Sequence, residues 1–213
     1  MRVATGIPEL DSHLNGGLVP ASINLLRGPP GAGKTTLSLQ YLLEDIKAGK
    51  PAAYISLEER REHFIRNMSS FAFPTSDLIS KNLLHFEHMS ADELGHRLSV
   101  GAHDIGNLIA DNGIARLVID SVSAFLLMWD GQHLRQAQTK RLFELLRQWG
   151  VTCLVTCHDG ADDGYGIDYL ADSVIRLGRT DEGRILHIEK MRGSAHAEDS
   201  IPYGINDSGL YTK

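Results

Sequence analysis

The stretch GPPGAGKTT, Gly28 to Thr36, sets Gly28, Gly33, Lys34 and Thr35 at the spacing G-x-x-x-x-G-K-[ST]. Glycines let a backbone turn so that successive N–H groups face one point, and a helix beginning there adds a favourable dipole. The chemistry is phosphate binding. Gly28, Gly31, Ala32, Gly33, Lys34, Thr35 and Thr36 are therefore the candidate nucleotide-binding residues. Lys34 is expected to reach the β- and γ-phosphates, and the Thr35 hydroxyl to serve as a ligand of Mg²⁺. A buried strand before the loop and an amphipathic helix after it are the context this reading requires.

Two further carboxylate positions suit the same site. The run RLVID ends in Asp120, expected at the carboxyl edge of the sheet, where it would hold a water on Mg²⁺ and orient Thr35. An aspartate ending a strand also has a plainer role, capping the next helix. In YISLEE, Glu58 and Glu59 follow a strand at the edge where parallel sheets bind ligands. Glu58 is read as the base that accepts a proton from attacking water, with Glu59 in support. Glu59 could equally be an acid in the first turn of the following helix. Far along the chain, KMRGSAH gathers Lys190, Arg192 and His196 around a glycine. Taken alone it is a solvated basic turn beyond a strand.

The remaining chemistry-bearing residues say less. His158 reads first as a hydrogen-bonded structural histidine, and second as a group that could sense a γ-phosphate from a strand end. The loop after it carries Asp159, Asp162 and Asp163 with no Lys or Arg, so it would repel a phosphate backbone. His85 to His88 is the closest histidine cluster, without a zinc-ligand set. Cys153 and Cys157, four apart in VTCLVTC, share a strand face as two small buried thiols. Arg135, Lys140, Arg141 and Arg147 form a solvated helix face opposite Leu142, Leu145, Leu146 and Trp149. Trp129 is either an exposed contact or core.

These residues need a scaffold, and the hydropathy pattern supplies one. Strand-like apolar runs alternate with amphipathic ones, the pattern of a parallel α/β sheet. Strands are expected at Ser22–Gly28, Ala52–Leu57, Asn82–Glu87, Arg116–Asp120 and VTCLVTC. Helices are expected from Lys34 to Gly49, from about Glu59, through SADELGHRLSVGAHDIGNLIADNG with a Ser90/Glu93 capping box, and up to Gly150. Two strands joined at TDEG follow, and a last one near YGINDSGLY would close an antiparallel edge. The 213 residues read as one domain with a substantial core. A net charge of −6 weighs against broad nucleic-acid binding. No apolar run would span a bilayer and MRVATGIPEL lacks a signal-peptide core, so the expectation is a cytoplasmic protein.

With these residues in hand, the chain resembles the KaiC-like branch of the RecA-like ATPases from about Thr5 to Leu210. TGIPELDSHLNGGL is similar to that family's N-terminal segment, GPPGAGKTT to its Walker A loop and LVIDS to its Walker B. ISLEE is similar to its paired catalytic glutamates, and KMRGSAH to its C-terminal lysine–arginine–glycine motif. The resemblance implies a RecA-like P-loop core: a mostly parallel twisted sheet flanked by helices, with an antiparallel C-terminal edge. It implies ATP and Mg²⁺ as cofactors, slow ATP hydrolysis and a homo-oligomer, expected as a hexameric ring with an unidentified protein partner. It also implies that Lys190 and Arg192 act in trans on the γ-phosphate held by the next subunit, with His196 nearby. An arginine finger of this kind accelerates hydrolysis by roughly 10³- to 10⁵-fold. Two departures stand out. The family's clock proteins carry two such domains in tandem, whereas one is read here. Asp168 and Tyr169 stand nearest the positions of an autokinase Ser-Thr pair, so the resemblance does not extend to an autophosphorylation cycle. Two rival functions stay open: a nucleotide-gated interaction module with negligible hydrolysis, and a recombination accessory protein that binds single-stranded DNA.

Overall fold

The computed structural model describes residues 2–160, 166–197 and 199–213. Asp162 and Asp163 of the acidic loop lie outside the described residues. Nine strands form one sheet: β1 (Ile23–Gly28), β2 (Ala52–Ser56), β3 (Leu84–His88), β4 (Arg116–Asp120), β5 (Thr152–His158), β6 (Ser173–Thr180), β7 (Gly183–Met191), β8 (Ile201–Asn206) and β9 (Gly209–Thr212), among the described residues. Their spatial order is β3-β2-β4-β5-β1-β6-β7-β8-β9. The first six in that order run parallel, and β7, β8 and β9 add on antiparallel. The expected α/β fold with an antiparallel C-terminal edge is the observed one.

The central strands read as continuous apolar runs because both faces of the sheet are covered. Side chains alternate along each strand, so Leu117 and Ile119 join one core while Val118 joins the other, and Ile55 and Tyr54 divide likewise. One face carries α1 (Pro8–His13), α2 (Lys34–Lys47), α3 (Arg61–Met68) and α4 (Thr75–Ser80). The other carries α5 (Ala91–Ser99), α6 (His103–Asn112), α7 (Ser123–Leu127) and α8 (Gln132–Gln148). A single turn, α9 (Ile167–Leu170), precedes β6. Cys153 and Cys157 are buried thiols in the second core, not joined in a disulfide, and burial pushes the Cys153 thiol well up, so it packs as a neutral group.

Local chemistry explains where elements depart from the expected ones. The helix expected from Ser90 to Gly113 is two, because Gly101 (φ 93°) and Ala102 (φ 45°) turn the chain left-handed between α5 and α6. The Ser90 hydroxyl does accept from the Glu93 N–H at 3.1 Å. The Glu93 carboxylate pairs forward with Arg97 at 2.6 Å. The helix expected from Glu59 begins at Arg61, and the single last strand is the β8–β9 hairpin. Trp129 packs half-buried against the second core, edge-on to Phe125. The basic face of α8 is partly tethered: Arg147 pairs with Asp172 at 3.0 Å, and Arg141 donates to the Ser99 carbonyl.

Arg116 ties the phosphate-loop helix to the sheet. It is buried at the start of β4, donates to the carbonyls of Ala4 and Tyr41, pairs with Asp45 at 2.8 Å and lies over the Tyr41 ring. Removing the guanidinium strands Asp45 and both carbonyls. Arg116→Met is therefore expected to lower stability by about 3–5 kcal/mol in a urea titration.

Candidate nucleotide site

Strand register assembles the site before any side chain is considered. Gly28 pairs with His158 and Ser56 pairs with Asp120, so β1, β2, β4 and β5 all end at one edge of the sheet. The loop after β1 needs its glycines. A Cβ on Gly28 would lie 2.5 Å from the Leu177 carbonyl oxygen. Gly33 (φ 100°), just before α2, would meet Ile205 Cδ1 at 2.7 Å. Gly31 lines the cleft with open space beside it. The Ala32 N–H turns to the Pro29 carbonyl at 3.2 Å, and the Ala32 carbonyl accepts from the Tyr203 hydroxyl.

A cleft of about 360 Å³ opens at this edge. Lys34, Thr35, Thr36, Glu58 and Asp120 line it together with His158. Phe71 and Ile205 form an apolar wall. The Lys34 ammonium donates to the carbonyls of Gly28 (2.7 Å) and Pro29 (3.1 Å) and contacts His158 Nδ1 at 3.1 Å. Burial lowers its pKa, while Asp120 and Glu58 act in the opposite direction. Thr35 Oγ1 donates to Asp120 Oδ2 at 2.8 Å. The Asp120 carboxylate also accepts from the hydroxyls of Tyr54 and Thr156. Burial, then the Asp120 charge, pushes the Tyr54 phenol well up, so it keeps its proton and serves as donor.

This donor set suits a small hard cation beside phosphates. Thr35 spends its proton on Asp120 and keeps its oxygen lone pairs for the cleft, and Asp120 stands behind it as a hard oxygen acid. No group of three His, Cys, Asp or Glu side chains suited to a metal occurs among the described residues. The remaining ligands would then come from phosphate and water, as Mg²⁺ prefers.

The two glutamates part company. Glu58 Oε1 accepts from the Ser121 hydroxyl at 2.6 Å and faces His158 Nε2 at 3.2 Å. Glu59 turns the other way: its N–H donates to Ser56 Oγ and its carboxylate accepts from Asn67 of α3 at 2.9 Å.

Lys190, Arg192 and His196 are not among the cleft's lining residues. Lys190 pairs with Val174 at the start of β6, and Val174 pairs with Leu25. That is three residues, roughly 10 Å of strand, back from Gly28 toward the opposite edge of the sheet. The Lys190 ammonium donates to the carbonyls of Asp168 (2.5 Å) and Ala171 (2.7 Å) around α9. Burial, and next the Arg192 guanidinium, lower its pKa. Arg192 donates to the Tyr169 carbonyl and lies 3.9 Å from Asp172. His196 is half-buried in a segment whose Ala195 carbonyl accepts from Asn15. Asp168 is taken by Arg27 of β1 at 2.7 Å, and Tyr169 is 79% exposed.

From sequence, a structural role comes first for His158, and no motif marks Tyr54, Ser121, Thr156, Phe71 or Ile205. Ser121 had a local signal, standing next to Asp120. Tyr54 and Thr156 reach Asp120 only through strand register, and Ile205 arrives from the far hairpin.

The family model described as "ATPase: KaiC" matches residues 3–212. The circadian clock oscillator protein KaiC of Prochlorococcus marinus is 31% identical over 98% of this chain, which covers 44% of that protein. The UPF0273 protein of Methanopyrus kandleri is 29% identical over 98% of this chain and 90% of its own length. Among solved structures, a KaiC-like protein of Pyrococcus horikoshii superposes with a TM-score of 0.87 at 26% identity, covering 100% of this chain and 99% of its own. The chain thus spans less than half the length of the clock protein from Prochlorococcus, but nearly all of the archaeal ones.

Proposed function

The chain belongs to the KaiC family of RecA-like ATPases, and from that premise we propose that it hydrolyses ATP slowly, with Mg²⁺, at sites that a neighbouring subunit completes. The assembly is a homo-oligomer, expected as a hexameric ring in the cytoplasm, whose nucleotide cycle changes the binding of a protein partner. One observation carries the reading. Lys34, Thr35, Asp120 and Glu58 share one cleft, whereas Lys190 and Arg192 stand back toward the opposite edge of their own sheet. If the basic pair serves a nucleotide, it serves another subunit's.

The steps follow from donors and acceptors. Lys34 exchanges the carbonyls of Gly28 and Pro29 for phosphate oxygens. The loop N–H groups and the start of α2 hold the remaining phosphate charge, and Phe71 and Ile205 offer apolar surface for the nucleotide's base. Mg²⁺, when bound at Thr35 with Asp120 behind it, supplies neutralisation of phosphate charge. Water attacks the γ-phosphorus, the bond from that phosphorus to the ADP oxygen breaks, and Glu58 takes the water's proton. Arg192 and Lys190 of the neighbour, with His196 close by, offset the charge that develops on the transferring group.

Phosphate release from ATP tests this. Wild type with Mg²⁺ is expected to release phosphate, and Lys34→Ala to lose nucleotide binding and release together. Equal release by Lys34→Ala, or none from wild type under any assembly condition, would contradict it.

A further inference from the structure

We propose that His158 is a positioning residue, a neutral bridge that holds Lys34 and Glu58 apart in the resting site and aims the Glu58 carboxylate. The proposal rests on the assignment of Glu58 as base and adds a residue to it. His158 ends β5, and its backbone N–H donates to Ser123 Oγ at 2.8 Å, which fixes where the ring emerges. Its two nitrogens then face opposite charges: Nδ1 lies 3.1 Å from the Lys34 ammonium, and Nε2 lies 3.2 Å from Glu58 Oε1.

Donor counting fixes the tautomer. An ammonium only donates, so Nδ1 must accept and carry no proton. An ionised carboxylate only accepts, so Nε2 must carry the proton and donate. An imidazolium would set an N–H against the lysine. The bridge is therefore the neutral Nε2–H ring.

Two consequences follow. The ring occupies the gap in which a lysine and a glutamate would otherwise form an ion pair, which would occupy both the phosphate-binding cation and the base. It also joins Ser121 on a single oxygen of Glu58, Oε1, so that Oε2 stays available to water. When a phosphate draws Lys34 away, Nδ1 loses its donor while the hold on Glu58 persists.

Side chains that mimic one nitrogen at a time separate the two contacts. Glutamine places an amide donor near the Nε2 position, asparagine places a carbonyl acceptor near Nδ1, and alanine provides neither. His158→Ala and His158→Asn are expected to lower kcat for phosphate release by roughly 10- to 100-fold, the scale of a hydrogen bond to a charged group. His158→Gln should stay within about threefold of wild type. His158→Gln and His158→Asn, which still fill the gap, should bind a fluorescent ATP analogue within about threefold, whereas His158→Ala, which lets Lys34 pair with Glu58, should bind it more weakly. Equal kcat loss in all three variants would mark a merely structural residue and overturn the proposal. A Glu58→Ala control separates the two readings. If that variant is inactive while every His158 variant matches wild type, the bridge alone fails. If Glu58→Ala matches wild type, the base assignment fails, and imidazole ¹⁵N NMR of the nucleotide-free protein decides the bridge. The Nε2–H form, assigned by its absence in His158→Gln, supports it; an Nδ1–H ring or an imidazolium overturns it whatever the rates.

Discussion

Arg192→Ala is expected to lower phosphate release by the assembled protein by roughly 10³- to 10⁵-fold, the range over which arginine fingers act on phosphoryl transfer. Its effect on the fold should be small. The guanidinium is half-exposed, donates to one carbonyl and lies 3.9 Å from Asp172, and an exposed pair of that kind contributes at most about 1 kcal/mol. ATP binding to the isolated subunit should be unchanged, because Arg192 is not among the residues lining the subunit's own cleft. Arg192→Lys should restore little, since an ammonium lacks the planar fork that spans two phosphate oxygens. Lys190→Ala differs in kind. It strips donors from the carbonyls around α9, so its melting temperature should fall along with its rate. Phosphate release read beside thermal melting distinguishes the two variants.

Glu58→Ala should lower kcat by roughly 10²- to 10⁴-fold, the usual contribution of a positioned general base, with ATP still bound. Glu59→Ala should cost much less, because its carboxylate is spent on Asn67 and faces α3. The contrast matters for the rival in which nucleotide only gates a contact. A pure binder keeps its partner function when Glu58 is removed, whereas a machine driven by hydrolysis loses it.

The legible parts of this protein are those whose chemistry is local. The loop from Gly28 to Thr36 is contiguous, so its spacing alone names a phosphate site, although the residues that crowd Gly28 and Gly33 are the distant Leu177 and Ile205. The order of strands and helices was visible because both faces of the sheet are covered, which turns β1, β2, β4 and β5 into apolar runs between amphipathic stretches. What stayed hidden depends on pairing across the sheet. Nothing near Tyr54 or Thr156 says that strand register brings their hydroxyls to Asp120, and nothing near His158 says that it faces both Lys34 and Glu58. The α5–α6 break did have a local signal in Gly101, which the apolar periodicity on both sides overrode. The parting of Glu58 from Glu59 hangs on Asn67, in the last turn of α3, a contact no spacing rule announces.

Mixing Glu58→Ala with Arg192→Ala tests the shared site most directly. Each variant alone should be inactive beside an active wild type. An equimolar, exchanging mixture should recover about a quarter of wild-type phosphate release, because random assembly joins an intact Glu58 to a neighbour's intact Arg192 at that fraction of interfaces. Recovery would make KMRGSAH a finger reaching into the next subunit. A mixture that exchanges subunits and stays inactive would confine Arg192 to its own chain and contradict the shared site.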